Sequence, residues 1–150
     1  MHDMILAQLR TAVPFAAHAG VALEALDARE GRARLALSPE RLNHVGTLHA
    51  GAIFTLGEAA SGAAMAGALA PVLLSARPLA SGATISYQRP ARGDLTAIAR
   101  TRRPASELLE EIQQSGRTVF PVDVTIADDG GTTVATMEVA WHVSVRTAKA

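Results

Sequence analysis

A long apolar stretch that contains a single charged residue constrains this sequence more than any other feature. Between Arg41 and Arg77 the only Asp, Glu, Lys or Arg is Glu58. Residues 50–70 are almost wholly Ala, Gly, Leu, Ile, Phe and Met, and apart from the glycines this composition favours a helix. The apolar residues lie on every side of that helix, so it must be surrounded by the rest of a fold or by lipid. A carboxylate in such a place is costly unless it is paired or has a function.

A membrane span is the first alternative, because about 20 apolar residues can cross a bilayer. Against it stand the central position of Glu58, the absence of basic clusters at the ends of the stretch, and the glycines Gly51, Gly57, Gly62 and Gly67. The N-terminus also lacks the basic-then-apolar pattern of a secretory signal. We therefore predict a cytoplasmic protein without a membrane partner.

The composition excludes several other classes of protein. The chain has 150 residues, a usual length for one domain, and we predict a single domain over 1–150. It has 14 basic and 14 acidic residues and a formal net charge of zero, which gives no indication of a nucleic-acid partner. It has no cysteine, so disulfides, thiolate catalysis and thiolate metal sites are excluded. We expect neither a cofactor nor a metal.

The remaining periodicity predicts a sheet around the apolar helix, and hence an α+β fold. Residues 2–18 have the spacing of a short amphipathic helix that Pro14 and Gly20 break or end. The central helix is expected over about 49–69. Alternating residues predict a hairpin at 21–27 and 32–37, then strands in hairpin succession at 82–88, 95–102, 118–127 and 132–145, with a short helix within 104–116. Because βαβ alternation is absent, the sheet should be mainly antiparallel.

The segment Asn43–Glu58, N-H-V-G-T-L-H-A-G-A-I-F-T-L-G-E, resembles the signature of the phenylacetate-type acyl-CoA thioesterases. That signature has an Asn, then H-G-G six residues later, then an apolar turn and a half that ends in Asp or Glu. The later S-G-A-T-I-S-Y-Q-R-P-A-R-G-D-L resembles a strand, turn and strand of the same family. The likeness covers about residues 20–145 and implies the hotdog fold, a curved antiparallel sheet wrapped around a long central helix.

Two positions depart from the phenylacetate-type pattern. Ala50 stands at the middle position of H-G-G, and Glu58 stands where that branch has Asp. The change from Gly to Ala keeps the backbone N–H, so the first departure mainly reduces the space beside that N–H. The second is similar to the branch of hotdog thioesterases that acts on aromatic acyl-CoAs.

Thioester hydrolysis needs a base or nucleophile, and donors for the charge that grows on the carbonyl oxygen. The first N–H groups of a helix lack internal partners and favour an anion. By resemblance, the Ala50 N–H is the oxyanion donor with Gly51 beside it, and Glu58 is the base or nucleophile. Glu58 lies roughly 12 Å along the helix from its start, too far to act on a carbonyl held there. The spacing and the resemblance therefore both predict a homodimer, or a dimer of dimers, with active sites shared between subunits.

Six further residues are assigned to this site or its edge. Asn43 either fixes the water or thioester or simply holds its loop as a turn residue. Ser61, one turn after Glu58, is expected to orient the carboxylate, whose pKa burial should raise. His49 is interpreted as holding the helix start by hydrogen bonds rather than as a catalyst. The small residues Ala60, Ala63 and Ala64 are expected to line the acyl pocket.

Arginines near the second motif are candidates for contact with the phosphates of coenzyme A. Arg89 and Arg92 are the preferred pair, with Arg100, Arg102 and Arg103 as further candidates, and a solvated strand face is the alternative explanation for all of them. The uncharged strand 82–88 is expected to pair with its symmetry mate in a dimer, because an exposed edge of that kind invites pairing.

We therefore predict an acyl-CoA thioesterase and keep three alternatives open. A non-catalytic acyl-CoA-binding hotdog protein would use the same pocket without turnover. A hotdog hydratase is disfavoured, because no Asp precedes His49 at the spacing which that pattern requires. A purely structural oligomer should pair Glu58 and have no pocket.

Overall fold

The computed structural model describes residues 1–146. A six-stranded antiparallel sheet encloses one helix. The predicted domain over 1–150 thus includes residues 147–150, which lie outside the described part. The helices are α1 (His2–Ala12), α2 (Pro14–Ala19), α3 (Ala50–Ala68) and α4 (Ala105–Ser115). The strands are β1 (Val21–Leu26), β2 (Glu30–Leu35), β3 (Ala76–Tyr87), β4 (Leu95–Thr101), β5 (Arg117–Asp128) and β6 (Thr133–Val145).

The sheet has the strand order β1-β2-β4-β5-β6-β3, and every neighbouring pair is antiparallel. It curves around α3, so the predicted α+β hotdog fold is confirmed. The expected central helix over about 49–69 corresponds to α3. Within residues 1–146 no helix is both long and apolar enough to span a bilayer.

The predicted hairpin succession is wrong at β3. This strand pairs with β6, from Ala76 opposite Val145 to Tyr87 opposite Ala135, while β4 pairs with β2 and β5. β2, the second strand of the first hairpin, therefore lies beside β4, in the position that β3 would take in a β3–β4 hairpin. β3 also begins at Ala76 instead of Gly82 and includes Pro78. A proline is tolerated there because β3 is an edge strand with one unpaired side.

The N-terminal helical segment is divided at Pro14. Val13 ends α1, and Pro14 occupies the first turn of α2, where its missing N–H costs nothing. Gly20 ends α2 with a φ of 86°, a conformation that suits glycine. The two helices pack against β1 and α3, and Ile5 and Leu6 are buried there.

The packing between α3 and the sheet depends on small residues. A Cβ atom built on Gly31 of β2 would lie 2.6 Å from the Ala60 carbonyl oxygen of α3. A Cβ on Gly57 would lie 2.7 Å from the Met137 Sδ. The backbone of α3 and the sheet therefore approach each other more closely than larger residues would permit. This close approach explains why a helix so rich in glycine is stable in this fold.

Substitution of Gly31 by alanine should destabilise the protein, because the added methyl group meets helix backbone that cannot rotate away. We expect a loss of about 1–3 kcal/mol, which exceeds any gain from replacing a strand glycine. Thermal unfolding should show a melting temperature lower by roughly 3–9 °C. The matched control is Gly93→Ala, since a Cβ at Gly93 meets nothing within 4 Å. Equal melting temperatures for the two variants would contradict this account of the packing.

Candidate functional site

The start of α3 is held by the loop at residues 42–49, and Asn43 organises that loop. The Asn43 Oδ1 accepts hydrogen bonds from the N–H groups of Val45 (3.1 Å) and Thr47 (3.0 Å). The Asn43 Nδ2 donates to the Thr47 Oγ1 at 2.7 Å. These bonds make Asn43 a turn residue, so the structure favours that alternative over direct contact with a water or thioester.

His49 caps the helix. It is the N-cap residue of α3, and its Nδ1 accepts a hydrogen bond from the Gly51 N–H at 2.8 Å. In the neutral ring this bond places the proton on Nε2. The Gly51 N–H, beside the predicted oxyanion donor, is therefore already bonded to His49.

The Ala50 N–H differs from its neighbours in the first turn. The N–H groups of Ala52 and Ile53 donate to the His49 carbonyl at 3.0 and 3.1 Å. The Ala50 N–H has no hydrogen-bond partner among residues 1–146, and Ala50 is exposed. It lies at the positive end of the helix dipole. This end of α3 can therefore donate a hydrogen bond to a developing oxyanion.

The segment after β3 runs beside this helix start. The Tyr87 hydroxyl donates to the Ala50 carbonyl at 2.9 Å, and the Leu48 N–H donates to the Ala91 carbonyl at 2.9 Å. These bonds hold the segment that contains Tyr87 and Ala91 against the helix start, and Arg89 and Arg92 belong to the same segment. Both arginines are exposed, and neither forms an ion pair within residues 1–146.

The other candidate arginines are already paired on the sheet or α4. Their ion pairs are Arg100 with Glu30 (2.7 Å), Arg102 with Asp123 (2.7 Å) and Glu138 (2.6 Å), and Arg103 with Glu111 (2.6 Å). The hydrogen bonds of Arg102 to these two carboxylates raise its pKa. These three side chains would have to break existing contacts to hold a phosphate, so the structure does not support them as candidates.

Tyr87 is a site residue that the sequence interpretation missed. It is the only tyrosine of the chain, and burial raises the pKa of its phenol. Its place in the segment S-Y-Q-R-P, just before the candidate arginines, is the signal that could have identified it. Its bond to the Ala50 carbonyl fixes the end of β3 against the start of α3.

Glu58 remains unpaired in the described residues. Its side chain is half-buried and forms no hydrogen bond or ion pair with any part of 1–146. Burial raises the pKa of its carboxyl above the ordinary glutamate value. A carboxylate with a raised pKa and free oxygens is suited to accept a proton from a bound water.

The structure gives Ser61 a different role from the predicted one. Its hydroxyl donates to the backbone carbonyl of Glu58 at 2.7 Å and accepts from the Trp141 Nε1–H at 3.0 Å. Ser61 is fully buried. The prediction that it orients the Glu58 carboxylate is therefore wrong, because the hydroxyl joins α3 to β6 instead.

A cavity of about 840 Å³ adjoins Glu58. It lies between α1 and α2, β1 and one side of α3, and Trp141 and Pro78 complete its lining. Of the three alanines expected to line a pocket, Ala63 does so. Ala60 and Ala64 are instead buried, and their backbone atoms lie beside Gly31 of β2, as does the Ala63 Cβ. That part of the prediction is wrong because these positions bring the helix close to the sheet.

The two chemical groups of this site lie on one helix but cannot meet within one chain. The free Ala50 N–H and Glu58 are separated by about 12 Å along α3. A carbonyl oxygen hydrogen-bonded to that N–H is therefore out of reach of its own chain's carboxylate.

A family model described as Domain of unknown function (DUF4442) matches residues 2–143 of the chain. A search of curated proteins finds no match.

Solved structures share the fold at low sequence identity. A Pseudomonas aeruginosa protein described as of unknown function and a probable thioesterase is 24% identical, with a TM-score of 0.81 and 96% of this chain and 95% of that chain covered. The Escherichia coli PaaI protein from the phenylacetic acid degradation operon is 22% identical, with a TM-score of 0.69 and coverages of 93% and 96%. A Haemophilus influenzae thioesterase is 16% identical, with a TM-score of 0.73 and coverages of 92% and 87%. Likenesses at these identities show the fold alone.

Replacement of Glu58 by glutamine should stabilise the protein at neutral pH and have little effect in acid. Burial raises the pKa of Glu58, so between the unfolded and folded pKa values the folded protein holds a proton that the unfolded chain has lost. Wild-type stability therefore falls as pH rises through that range, whereas glutamine stays neutral. Urea unfolding from about pH 4 to about pH 8 should show an advantage of Glu58→Gln that grows with pH.

The control for this experiment is Glu110→Gln, which changes an exposed carboxylate on α4. Its stability difference from the wild type should not grow in the same way. A Glu58→Gln advantage that is constant over the whole pH range would show that the carboxylate is not destabilised by burial.

Proposed function

The chain belongs to the DUF4442 family, and we propose that it is an acyl-CoA thioesterase whose active sites are shared between two subunits. One observation carries this proposal: α3 presents a free N–H at Ala50 and an unpaired, half-buried carboxylate at Glu58. These are the two groups that thioester hydrolysis requires. The names of the similar structures, among them a thioesterase and a probable thioesterase, support the same reaction class.

In this proposal, the thioester carbonyl oxygen accepts a hydrogen bond from the Ala50 N–H of one subunit. Glu58 of the other subunit either removes a proton from a water that attacks the carbonyl carbon, or attacks that carbon itself. In the first route the carbon–sulfur bond breaks, and the thiolate of coenzyme A leaves and takes up the proton that Glu58 removed from the water. In the second route the carbon–sulfur bond breaks to give an acyl anhydride of Glu58, the thiolate takes up a proton from solvent, and a water then hydrolyses the anhydride to the free acid and the Glu58 carboxylate. Arg89 and Arg92, in the segment that is bonded to the helix start, would pair with the phosphates of coenzyme A.

The proposed dimer is formed through β3. β3 is an edge strand of the sheet, and its residues Leu79 and Tyr87 are 54% and 46% exposed. Its free backbone edge can pair with the same strand of a second copy, so that one sheet would continue through both subunits. Location in the cytoplasm, where acyl-CoA is available, stays a prediction.

A non-catalytic acyl-CoA-binding protein is the second candidate, and one observation favours it. The Asn43 side chain is engaged by its own loop, which leaves only its second Nδ2 N–H for contact with an attacking water. A purely structural oligomer is less consistent with the structure, because Glu58 has no partner in residues 1–146 and a cavity adjoins it.

Glu58→Gln should lower kcat/KM for acyl-CoA hydrolysis by a factor of about 10² or more, because glutamine keeps the shape but can neither accept the proton nor attack. For the wild type, kcat/KM should rise with pH until Glu58 is deprotonated, with an apparent pKa above the ordinary glutamate value. Release of the coenzyme A thiol measures both quantities. Near-normal turnover by a folded Glu58→Gln variant would reject Glu58 as the catalytic group.

Mixing two inactive variants should restore activity if each site uses two chains. Glu58→Gln removes the carboxylate, and Ala50→Pro removes the donor N–H. Proline suits this position because Ala50 is the first residue of α3 and His49 has the extended conformation (φ −64°, ψ 139°) that a residue before proline adopts. Each parent should lose about 10²–10³ in rate. A mixed dimer has one site with both defects and one intact site, so random exchange should restore roughly a quarter of wild-type activity.

The complementation experiment needs two controls. Circular dichroism must show that both parents are folded, and mass spectrometry of isotope-labelled subunits must show exchange. If subunits exchange and activity does not return, the donor and the carboxylate do not act across the subunit boundary.

A further inference from the structure

The chemistry of the thioester carbonyl leaves the cavity beside Glu58 unused. We propose that it holds the acyl chain of the substrate, and that this substrate is an acyl-CoA with an extended, uncharged aliphatic chain of octanoyl length or longer. This inference rests on the thioesterase proposed above and adds the substrate class and the residues that determine it. The N-terminal helices α1 and α2 supply one wall of the cavity and are the specificity element.

The position of the cavity defines the direction in which the acyl chain extends from the thioester carbonyl. In the proposed shared site, the thioester carbonyl lies between Glu58 of one subunit and the helix start of the other. Arg89 and Arg92 follow β3 next to that helix start, so coenzyme A extends over the subunit that supplies Ala50. The opposite side of the carbonyl then faces the cavity of the subunit that supplies Glu58. The acyl chain is the part of the substrate that leaves the carbonyl in this direction.

The lining excludes charged and strongly polar acyl groups. Leu9 and Val13 from the N-terminal helices, Val21 and Leu23 from β1, and Met65 from α3 are apolar. Arg10 and Glu24 also line the cavity, but both are exposed to solvent, and the Arg10 Nε donates to the Leu23 carbonyl at 2.9 Å. Along the apolar part of the lining, a carboxylate or hydroxyl on an acyl chain would therefore lose water without gaining a partner, and only the solvent-exposed Arg10 and Glu24 could bind one.

The size and the side chains favour a long aliphatic chain over a single aromatic ring. A volume of about 840 Å³ lies near the upper end of the range of small-molecule sites, and a phenyl ring would leave much of it empty. Trp141 is the one aromatic residue of the lining, and its ring is held by the bond to Ser61. An acyl chain in the cavity would pack against this ring on one side and against α2 on the other.

A chain-length series tests the size of the cavity. Each methylene that enters it should raise kcat/KM about fourfold, equivalent to about 0.8 kcal/mol, so octanoyl-CoA should exceed butyryl-CoA on the order of a hundredfold. Benzoyl-CoA should be a poorer substrate than octanoyl-CoA. Hydrolysis of butyryl-, benzoyl- and dodecanoyl-CoA at one common rate would overturn the proposal.

A substitution on α2 tests the wall. Ala16 lines the cavity and is half-buried, so Ala16→Leu should fill part of the space and lower the ratio of dodecanoyl-CoA to butyryl-CoA kcat/KM by about tenfold or more. The matched control is Ala7→Leu, which makes the same change at an exposed position of α1 away from the cavity. It should leave this ratio at the wild-type value. Equal ratios for the two variants would show that the N-terminal helices do not select the chain.

Binding can be measured apart from turnover, because Trp141 is the only tryptophan of the chain and lines the cavity. In the Glu58→Gln variant, dodecanoyl-CoA should change the tryptophan fluorescence and coenzyme A alone should not. The absence of a response to dodecanoyl-CoA would overturn the cavity assignment even if the wild type hydrolyses thioesters. A response in both proteins without any hydrolysis by the wild type would overturn the thioesterase proposal and leave the cavity as an acyl-binding site.

Discussion

Close contact between α3 and the sheet is the constraint on which the rest of this structure depends. Gly31 and the small residues of α3 let helix backbone approach strand backbone, and the sheet then closes around an almost entirely apolar cylinder. Burial on nearly every side supplies the stability of a helix that has little amphipathic character of its own. It also makes any polar group on α3 costly unless that group is bonded. The polar side chains Thr55 and Ser61 satisfy this condition within the fold, and Glu58 does not.

The two ends of the proposed chemistry follow from the same helix. Its start is exposed and is fixed by the Asn43 loop, the His49 cap and Tyr87. The His49 cap accepts a hydrogen bond from the Gly51 N–H, and the Ala50 N–H stays free of partners within residues 1–146. Its middle is enclosed, and there Glu58 has a raised pKa because it is removed from water. One environment suits a hydrogen-bond donor and the other suits a proton acceptor. Helical geometry holds them about 12 Å apart, which is the physical reason for a site made from two chains.

Periodicity was sufficient to predict the elements of this fold, and it failed where distant segments decide. The apolar run with one charge identified α3 nearly to its ends, and alternation located β4, β5 and β6. The pairing of β3 with β6 could not be read from alternation, because that pattern shows which residues share a face and does not show which strand is the neighbour. The bond of Ser61 to Trp141 was missed for a related reason. It depends on rotamers and on a partner 80 residues away, neither of which residue type or spacing reports.

The surface of α3 is thus divided between a side that builds the fold and a side that is left unfilled. Toward β2, Ala60 and Ala64 pack against Gly31 without space for another methyl group. Toward the N-terminal helices, Glu58 and Ala63 border a cavity of about 840 Å³. An apolar cavity and an unpaired carboxylate both reduce stability. Both costs occur together on one side of one helix, although the opposite side shows that this chain can pack at close contact. Their coincidence is better explained by a ligand with an apolar body and a reactive polar end than by two independent packing defects.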